Sequence, residues 1–230
     1  MIKPENYDPK KKWTELFSKK KNISYPAEGV IRIFKGSFPK LKLNFKKNNK
    51  ILDLGFGDGR HLMFLKKLGL NVFGTEISSD LVNKAKKNFQ IIKKKLNIGT
   101  SDDLNFKSNY FDFLLSWNTC YYMNPKYPFN FNKHVEEMSR VLKTNGILIL
   151  SIPKKTSFIF KNSKIMKKGY RLIKDDYFKV REGQVMRCFS DKFEIEKNFK
   201  AYFKSFNHSS IDIDWFGLNY HWHILIAKKK

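Results

Sequence analysis

Nine residues constrain this chain more than any other stretch: Ile51-Leu52-Asp53-Leu54-Gly55-Phe56-Gly57-Asp58-Gly59. A short apolar run that ends in an acid and three alternate glycines predicts a buried strand breaking into a tight turn and then a helix. Glycine lets the backbone bend and lets a ligand lie against it, and the N-terminus of the following helix offers free N–H groups. The spacing is not the G-x-G-x-x-G of a dinucleotide site, which presents a bare turn to a pyrophosphate. Asp53 stands two residues before the first glycine, where a carboxylate repels a pyrophosphate and suits a ligand bearing an ammonium and a sulfonium. Glu76 ends the next apolar run, 17 residues beyond Gly59, where a carboxylate accepts hydrogen bonds from both ribose hydroxyls. Both acids point at one adenosine.

From Lys50 onward strand-like and helix-like segments alternate, the pattern of a parallel sheet wound with crossover helices. Strands are expected at Ile51–Leu54, Asn71–Thr75, Leu96–Gly99, Phe111–Trp117 and Gly146–Ile152. Phe111–Trp117 is nearly all apolar, as a central strand should be. Helices are expected from about Arg60 to Leu68 with Gly69 as the stop, and from a Ser78 or Ser79 cap to Phe89. A third carries the stripe Val135, Met138, Val141 and Leu142 and ends at Asn145-Gly146. Lys192–Asn198 reads as a further helix, with Ala201–Phe206 and Tyr220–Ala227 as a closing strand pair.

Two regions lie outside that core. Residues 1–45 carry Trp13, Leu16, Phe17, Tyr25, Val30, Ile33 and Phe34 in short, partly helical pieces, read as a cap on the carboxyl edge of the sheet. Residues 154–190 form a long connection of a length that is usually functional. The division expected is therefore a cap segment over 1–45 and one domain over 46–230, with 154–190 as a substrate-side insertion.

With 230 residues, 41% of them hydrophobic, the chain has material for one substantial core, and its composition excludes a disordered or low-complexity protein. No apolar run approaches the length of a membrane span and the N-terminus lacks a signal-peptide stretch, so a cytoplasmic location is expected. Cys120 and Cys188 suggest neither a disulfide framework nor a metal cluster. The net charge of +25 invites a nucleic-acid partner, but 40 of the 46 basic residues are Lys and only 6 are Arg. Asn, Ile and Phe are also abundant, as an AT-rich coding sequence would make them. The runs Lys10–Lys12, Lys19–Lys21, Lys93–Lys95 and Lys228–Lys230 are scattered, the pattern of a solvated basic surface more than of a polyanion-binding face.

On these residues the chain resembles the class I S-adenosylmethionine-dependent methyltransferases, small stand-alone bacterial members among them, from about Ile51 to Ile152. Asp53-x-Gly55-x-Gly57-x-Gly59 resembles the first motif of that family, with Glu76 as its ribose-binding acid. Gly99-Thr100-Ser101-Asp102-Asp103-Leu104-Asn105-Phe106 followed by Tyr110-Phe111-Asp112 resembles the adenine-side stretch, although Thr100 replaces the usual Asp. Arg140-Val141-Leu142-Lys143-Thr144-Asn145-Gly146 resembles the turn before the fifth strand. The resemblance implies a Rossmann-like, doubly wound, seven-stranded α/β sheet in three layers, α/β/α, with an antiparallel C-terminal strand pair. It implies S-adenosylmethionine as cofactor, held by Asp53, Gly55, Gly57, Gly59, Glu76, Ser101, Asp102, Asp103 and Ser116. Asp102 and Asp103 fit a capped turn as well as an adenine contact.

Methyl transfer from an activated sulfonium asks chiefly for in-line positioning of an acceptor lone pair, with a base where a proton must leave. After Phe111–Trp117 comes Asn118-Thr119-Cys120-Tyr121-Tyr122, which lacks the Asn/Asp-Pro-Pro-aromatic box of enzymes that methylate base amino groups. Asn118, Tyr121 and His134 are the catalytic candidates, and core packing explains Tyr121 equally well. His61, His208, His221 and His223 are weaker candidate bases. Tyr121, Arg181 and Arg187 are candidate acceptor contacts; Arg181, Gln184 and Arg187 resemble a pattern of small-molecule members, and a plain surface hairpin explains that stretch at least as well. The expected acceptor is a small metabolite or sugar, methylated on O or N. The alternatives are an RNA methyltransferase using the Lys-rich surface and a non-catalytic cofactor-binding domain. No metal and no membrane partner is expected.

Overall fold

The computed structural model describes residues 7–19, 24–124 and 129–230, so Lys20 and Lys21 of the second basic run and the first six residues of the cap segment lie outside it. Two short helices, α1 (Pro9–Ser18) and α2 (Glu28–Lys35), come first. Then β1 (Lys50–Leu54), α3 (Arg60–Lys67), β2 (Asn71–Glu76), α4 (Ser79–Asn88) and β3 (Leu96–Ile98) alternate. They are followed by β4 (Phe111–Trp117), β5 (Tyr122–Met123), α5 (Phe131–Val141) and β6 (Leu142–Pro153). After these come α6 (Phe158–Lys161), β7 (Ser163–Lys167), β8 (Tyr170–Ile173), β9 (Val185–Arg187) and α7 (Lys192–Phe199). The last two strands are β10 (Phe203–Trp215) and β11 (Leu218–Lys229).

Seven strands form one sheet in the order β10, β11, β6, β4, β1, β2, β3. β1 pairs in parallel with both β2 and β4, and β11 runs antiparallel to both β6 and β10. This is the doubly wound, Rossmann-like α/β sheet with an antiparallel C-terminal pair that the sequence resemblance implies. Its central strands β1 and β4 are buried almost throughout, because helices cover both faces of a parallel sheet. The strand order reverses at β1, since β2 lies on one side and β4 on the other, and the crevice beyond their carboxyl ends is where such sheets bind ligands.

Local chemistry set most boundaries where expected. Ser78 accepts the Leu81 amide as the cap of α4, and Gly69 takes φ +85° after α3. Three boundaries differ. The helix carrying Val135 and Met138 stops at Val141, not at Asn145-Gly146. Leu142 already pairs with Phe111, and Asn145, at φ 62°, lies within β6 near the register shift between Phe111 and Phe113. The closing strands are longer than expected and meet in a turn at Phe216 and Gly217, both at positive φ. Residues 154–190 are not a bare connection: β7, β8 and β9 join β5 in a second, four-stranded antiparallel sheet. In the cap segment Val30, Ile33 and Phe34 belong to the hydrophobic core, whereas Tyr25 is 93% exposed.

Candidate active site

The turn after β1 holds Gly55, Gly57 and Gly59 at φ +68°, +58° and +83°. The space there is as restrictive as the backbone: a Cβ on Gly55 would stand 2.3 Å from Thr119 Cγ2, and one on Gly57 2.8 Å from the Phe17 ring. Only glycine fits, and the cradle it forms lies at the carboxyl end of β1. Asp53 and Glu76 flank it. Asp53 is 1% exposed, and its Oδ2 has no hydrogen-bond partner among the described residues. Its other oxygen faces His61 Nδ1 at 3.9 Å, while His61 Nε2 accepts the Ala27 amide. His61 is thus a buried spacer between Asp53 and the cap segment. Glu76 accepts the Gly57 amide at 2.9 Å and its neighbour's amide, Ile77, at 2.7 Å. Burial pushes the Glu76 carboxyl above its ordinary range, against the pull of those two amides and with the Asp53 charge adding to the rise. A buried carboxylate pair with one orphan oxygen suits a cationic ligand that also carries hydroxyl donors.

The adenine-side stretch is clamped by one face of α5. His134 Nδ1 lies 2.6 Å from Ser101 Oγ, Glu137 accepts the Leu104 amide, and Arg140 donates to the Leu104 and Phe106 carbonyls. These three side chains recur at every third position, the spacing that aligns them along a helix. Sequence reasoning had Arg140 in a motif but no role for it, and it missed Glu137. The i,i+3 spacing of His134, Glu137 and Arg140 was the available signal, though other polar residues of the same helix mask it. Ser101 is buried, Asp102 half-buried and Asp103 exposed in a tight turn in which Thr100 and Asp103 exchange backbone hydrogen bonds. Burial lowers the His134 pKa to about 4, so the ring is neutral at neutral pH.

On the other side of the crevice, Ser116 is buried, with its Oγ beside the Cys120 thiol. Asn118, at φ 62°, is fixed by Ser151, whose Oγ donates to Asn118 Oδ1 at 2.6 Å; the Asn118 amide reaches the Tyr220 hydroxyl. Tyr121 is fully buried, with no partner for its hydroxyl among the described residues, and burial holds that hydroxyl protonated well above its usual range. Arg181 donates to Asp176 and to the Tyr122 hydroxyl, and its guanidinium lies 5.4 Å from the Trp13 ring. Trp13 in turn packs edge-on against Tyr122 and stacks on Phe17, so α1 joins the glycine turn to the second sheet through a chain of rings.

Arg187 sits elsewhere. Its guanidinium donates to the Gly169 and Cys188 carbonyls and to Glu194, and packs over Phe189. Gln184 is spent on the Met123 and Val185 carbonyls. His208, His221 and His223 lie on β10 and β11, separated from β1 by β6 and β4.

Residues 52–150 match the family model described as a methyltransferase domain. That span holds the glycine turn, both acids, the clamped stretch and most of β6, in the sheet order of the class I S-adenosylmethionine-dependent methyltransferases. The matched stretch of the chain is similar to that domain. An uncharacterized protein of Methanocaldococcus jannaschii is 33% identical over 64% of this chain and 64% of its own length. The ubiquinone biosynthesis O-methyltransferase of Pelagibacter ubique is 30% identical over 69% of this chain and 65% of its own. The chain therefore spans a little under two thirds of the length of these relatives. The solved structure of a SAM-dependent methyltransferase from Methanosarcina mazei shares the fold at TM-score 0.62 and 17% identity, over 90% of this chain and 99% of that one. Among the described residues no helix is long and apolar enough to cross a membrane.

Proposed function

We propose that this chain is an S-adenosylmethionine-dependent methyltransferase acting on a small-molecule acceptor. The observation that carries it is the pairing of a buried, half-partnered Asp53 with Glu76 across a glycine cradle that tolerates no side chain. Glu76 receives the ribose hydroxyls, Asp53 faces the cationic amino-acid end, and Ser101 with the backbone of the clamped stretch meets the adenine. His134, neutral and bonded to Ser101, positions that serine and does not serve as a base. The cofactor supplies a methyl group on a sulfonium, already activated for transfer. The protein's part is to seat the acceptor in line and exclude water.

The acceptor side is drawn from Asn118, Tyr121, Tyr122 and Arg181, roofed by Trp13. The Tyr121 hydroxyl, buried without a partner, is a donor held ready for an acceptor oxygen. An aromatic wall with one guanidinium, its charge met by Asp176, favours a compact, partly apolar acceptor carrying a hydroxyl. The likeness to the Pelagibacter O-methyltransferase is in keeping with O-methylation of such a compound. Incubation with labelled S-adenosylmethionine against separated small-molecule, RNA and protein fractions tests the reading. Label in the small-molecule fraction is expected, and label confined to RNA overturns it.

A further inference from the structure

A cavity of about 860 Å³ opens between the β7–β8 hairpin, the residues that follow β9, and α7. Neither the glycine cradle nor Asp53, Glu76, Asn118 or Tyr121 lines it. Its wall carries Lys155, Lys167, Lys168, Arg171 and Lys197. The one acidic residue lining it among the described residues is Glu194, whose two oxygens are taken by Arg187 and by the Ser190 amide, each at 2.6 Å. Arg171 donates to the Ser163 hydroxyl and lies beside the Cys188 thiol, and Lys155, Lys168 and Lys197 form no salt bridge among the described residues. Lys167 is fixed in advance, bonded to the Phe129 carbonyl and lying 4.8 Å from the Tyr170 ring centroid. Between the cations lies apolar surface from Ile165, Tyr170 and Tyr202.

A lysine-rich surface scatters cations, but a concave wall that gathers four exposed lysines and the half-buried Arg171 with no free carboxylate concentrates positive potential in one place. The repulsion among them is relieved by a bound polyanion. We propose that this cavity is a second ligand site, separate from the methyl-transfer site, for a phosphorylated small molecule of the nucleoside diphosphate class. Its phosphates meet Arg171 and the four lysines, and its ring lies on Tyr170, Ile165 and Tyr202. The volume falls within the roughly 300–1,000 Å³ of small-molecule sites.

Calorimetry on the full chain with ADP, adenosine and pyrophosphate, each with and without saturating S-adenosylhomocysteine, tests it. ADP is expected to bind with S-adenosylhomocysteine present, and more tightly than adenosine or pyrophosphate. The double substitution Lys168→Gln/Lys197→Gln should weaken ADP by about tenfold or more, while S-adenosylhomocysteine affinity stays unchanged. Lys86→Gln/Lys87→Gln on α4 removes the same charge elsewhere and should leave ADP binding intact. The proposal fails if ADP does not bind, if S-adenosylhomocysteine displaces it, if pyrophosphate binds as well as ADP, or if both double variants weaken ADP equally. Displacement would place ADP in the cofactor cradle, and would leave the methyltransferase reading standing.

Discussion

Glu76 Oε2 accepts the Gly57 amide at 2.9 Å, so the acid that ends β2 and the middle glycine of the turn after β1 form one unit. Replacing Glu76 by Ala removes that bond together with the acceptors for the ribose. S-adenosylhomocysteine affinity should fall by about 1–3 kcal/mol, with a lower melting temperature. Glu76→Gln retains one oxygen for Gly57, so it should melt near the parent while still binding the ligand more weakly. Calorimetry and thermal melts on the two variants separate the roles.

Gly55 and Thr119 are a steric pair. Gly55→Ala adds a Cβ 2.3 Å from Thr119 Cγ2 at φ +68°. The left-handed backbone alone costs about 1–2 kcal/mol for an L-residue, and the contact adds to it. The double variant Gly55→Ala/Thr119→Ala should recover the contact part and not the backbone part. A double-mutant cycle by denaturant unfolding reads the coupling between the two sites; additive single effects contradict the geometry.

Buried His134 sets a pH dependence. Its folded pKa is lowered to about 4 from an ordinary 6.5, chiefly by burial, so between these values the unfolded chain binds a proton that the folded chain refuses. Stability is therefore intact above the unfolded pKa and declines as pH falls through that window, by on the order of 3 kcal/mol at its lower end. His134→Gln should flatten this limb of the stability profile. An unchanged acid limb in the variant would assign the loss to other groups, such as His223, whose pKa burial also lowers.

Asp176 is fully buried beneath Arg181 and also accepts the Val180 and Arg181 amides. Asp176→Ala strands a largely buried guanidinium and should cost about 3–5 kcal/mol of stability. Arg181→Lys keeps the charge but loses the fork that spans Asp176 and Tyr122, so once an acceptor is known its KM should rise more than its kcat falls. A variant with unchanged KM removes Arg181 from the acceptor site.

Much of this was legible in advance because it is local. The glycine turn, the Ser78 cap, the Gly69 stop and the apolar run of β4 are decided by neighbours in sequence. The end of α5 was not, because Leu142 is claimed by its pairing with Phe111 on a distant strand, and that overrides a helical stripe which continues through it. The second sheet was legible only in part: β7 and β8 pair as a local hairpin, whereas β5 is two residues long and pairs with the distant β9. At the site, Asp53 and Glu76 follow from motif spacing. The roof made by Trp13 and Phe17, and the commitment of Arg187 to Glu194, depend on contacts across more of the fold and carry no sequence signature of their own.

The most direct measurement is a crystal structure of the chain grown with S-adenosylhomocysteine. The ligand is expected along the glycine cradle, with its ribose hydroxyls hydrogen-bonded to Glu76 and its amino-acid end toward Asp53. Density for it elsewhere, or a cradle that takes NAD in its place, contradicts the account.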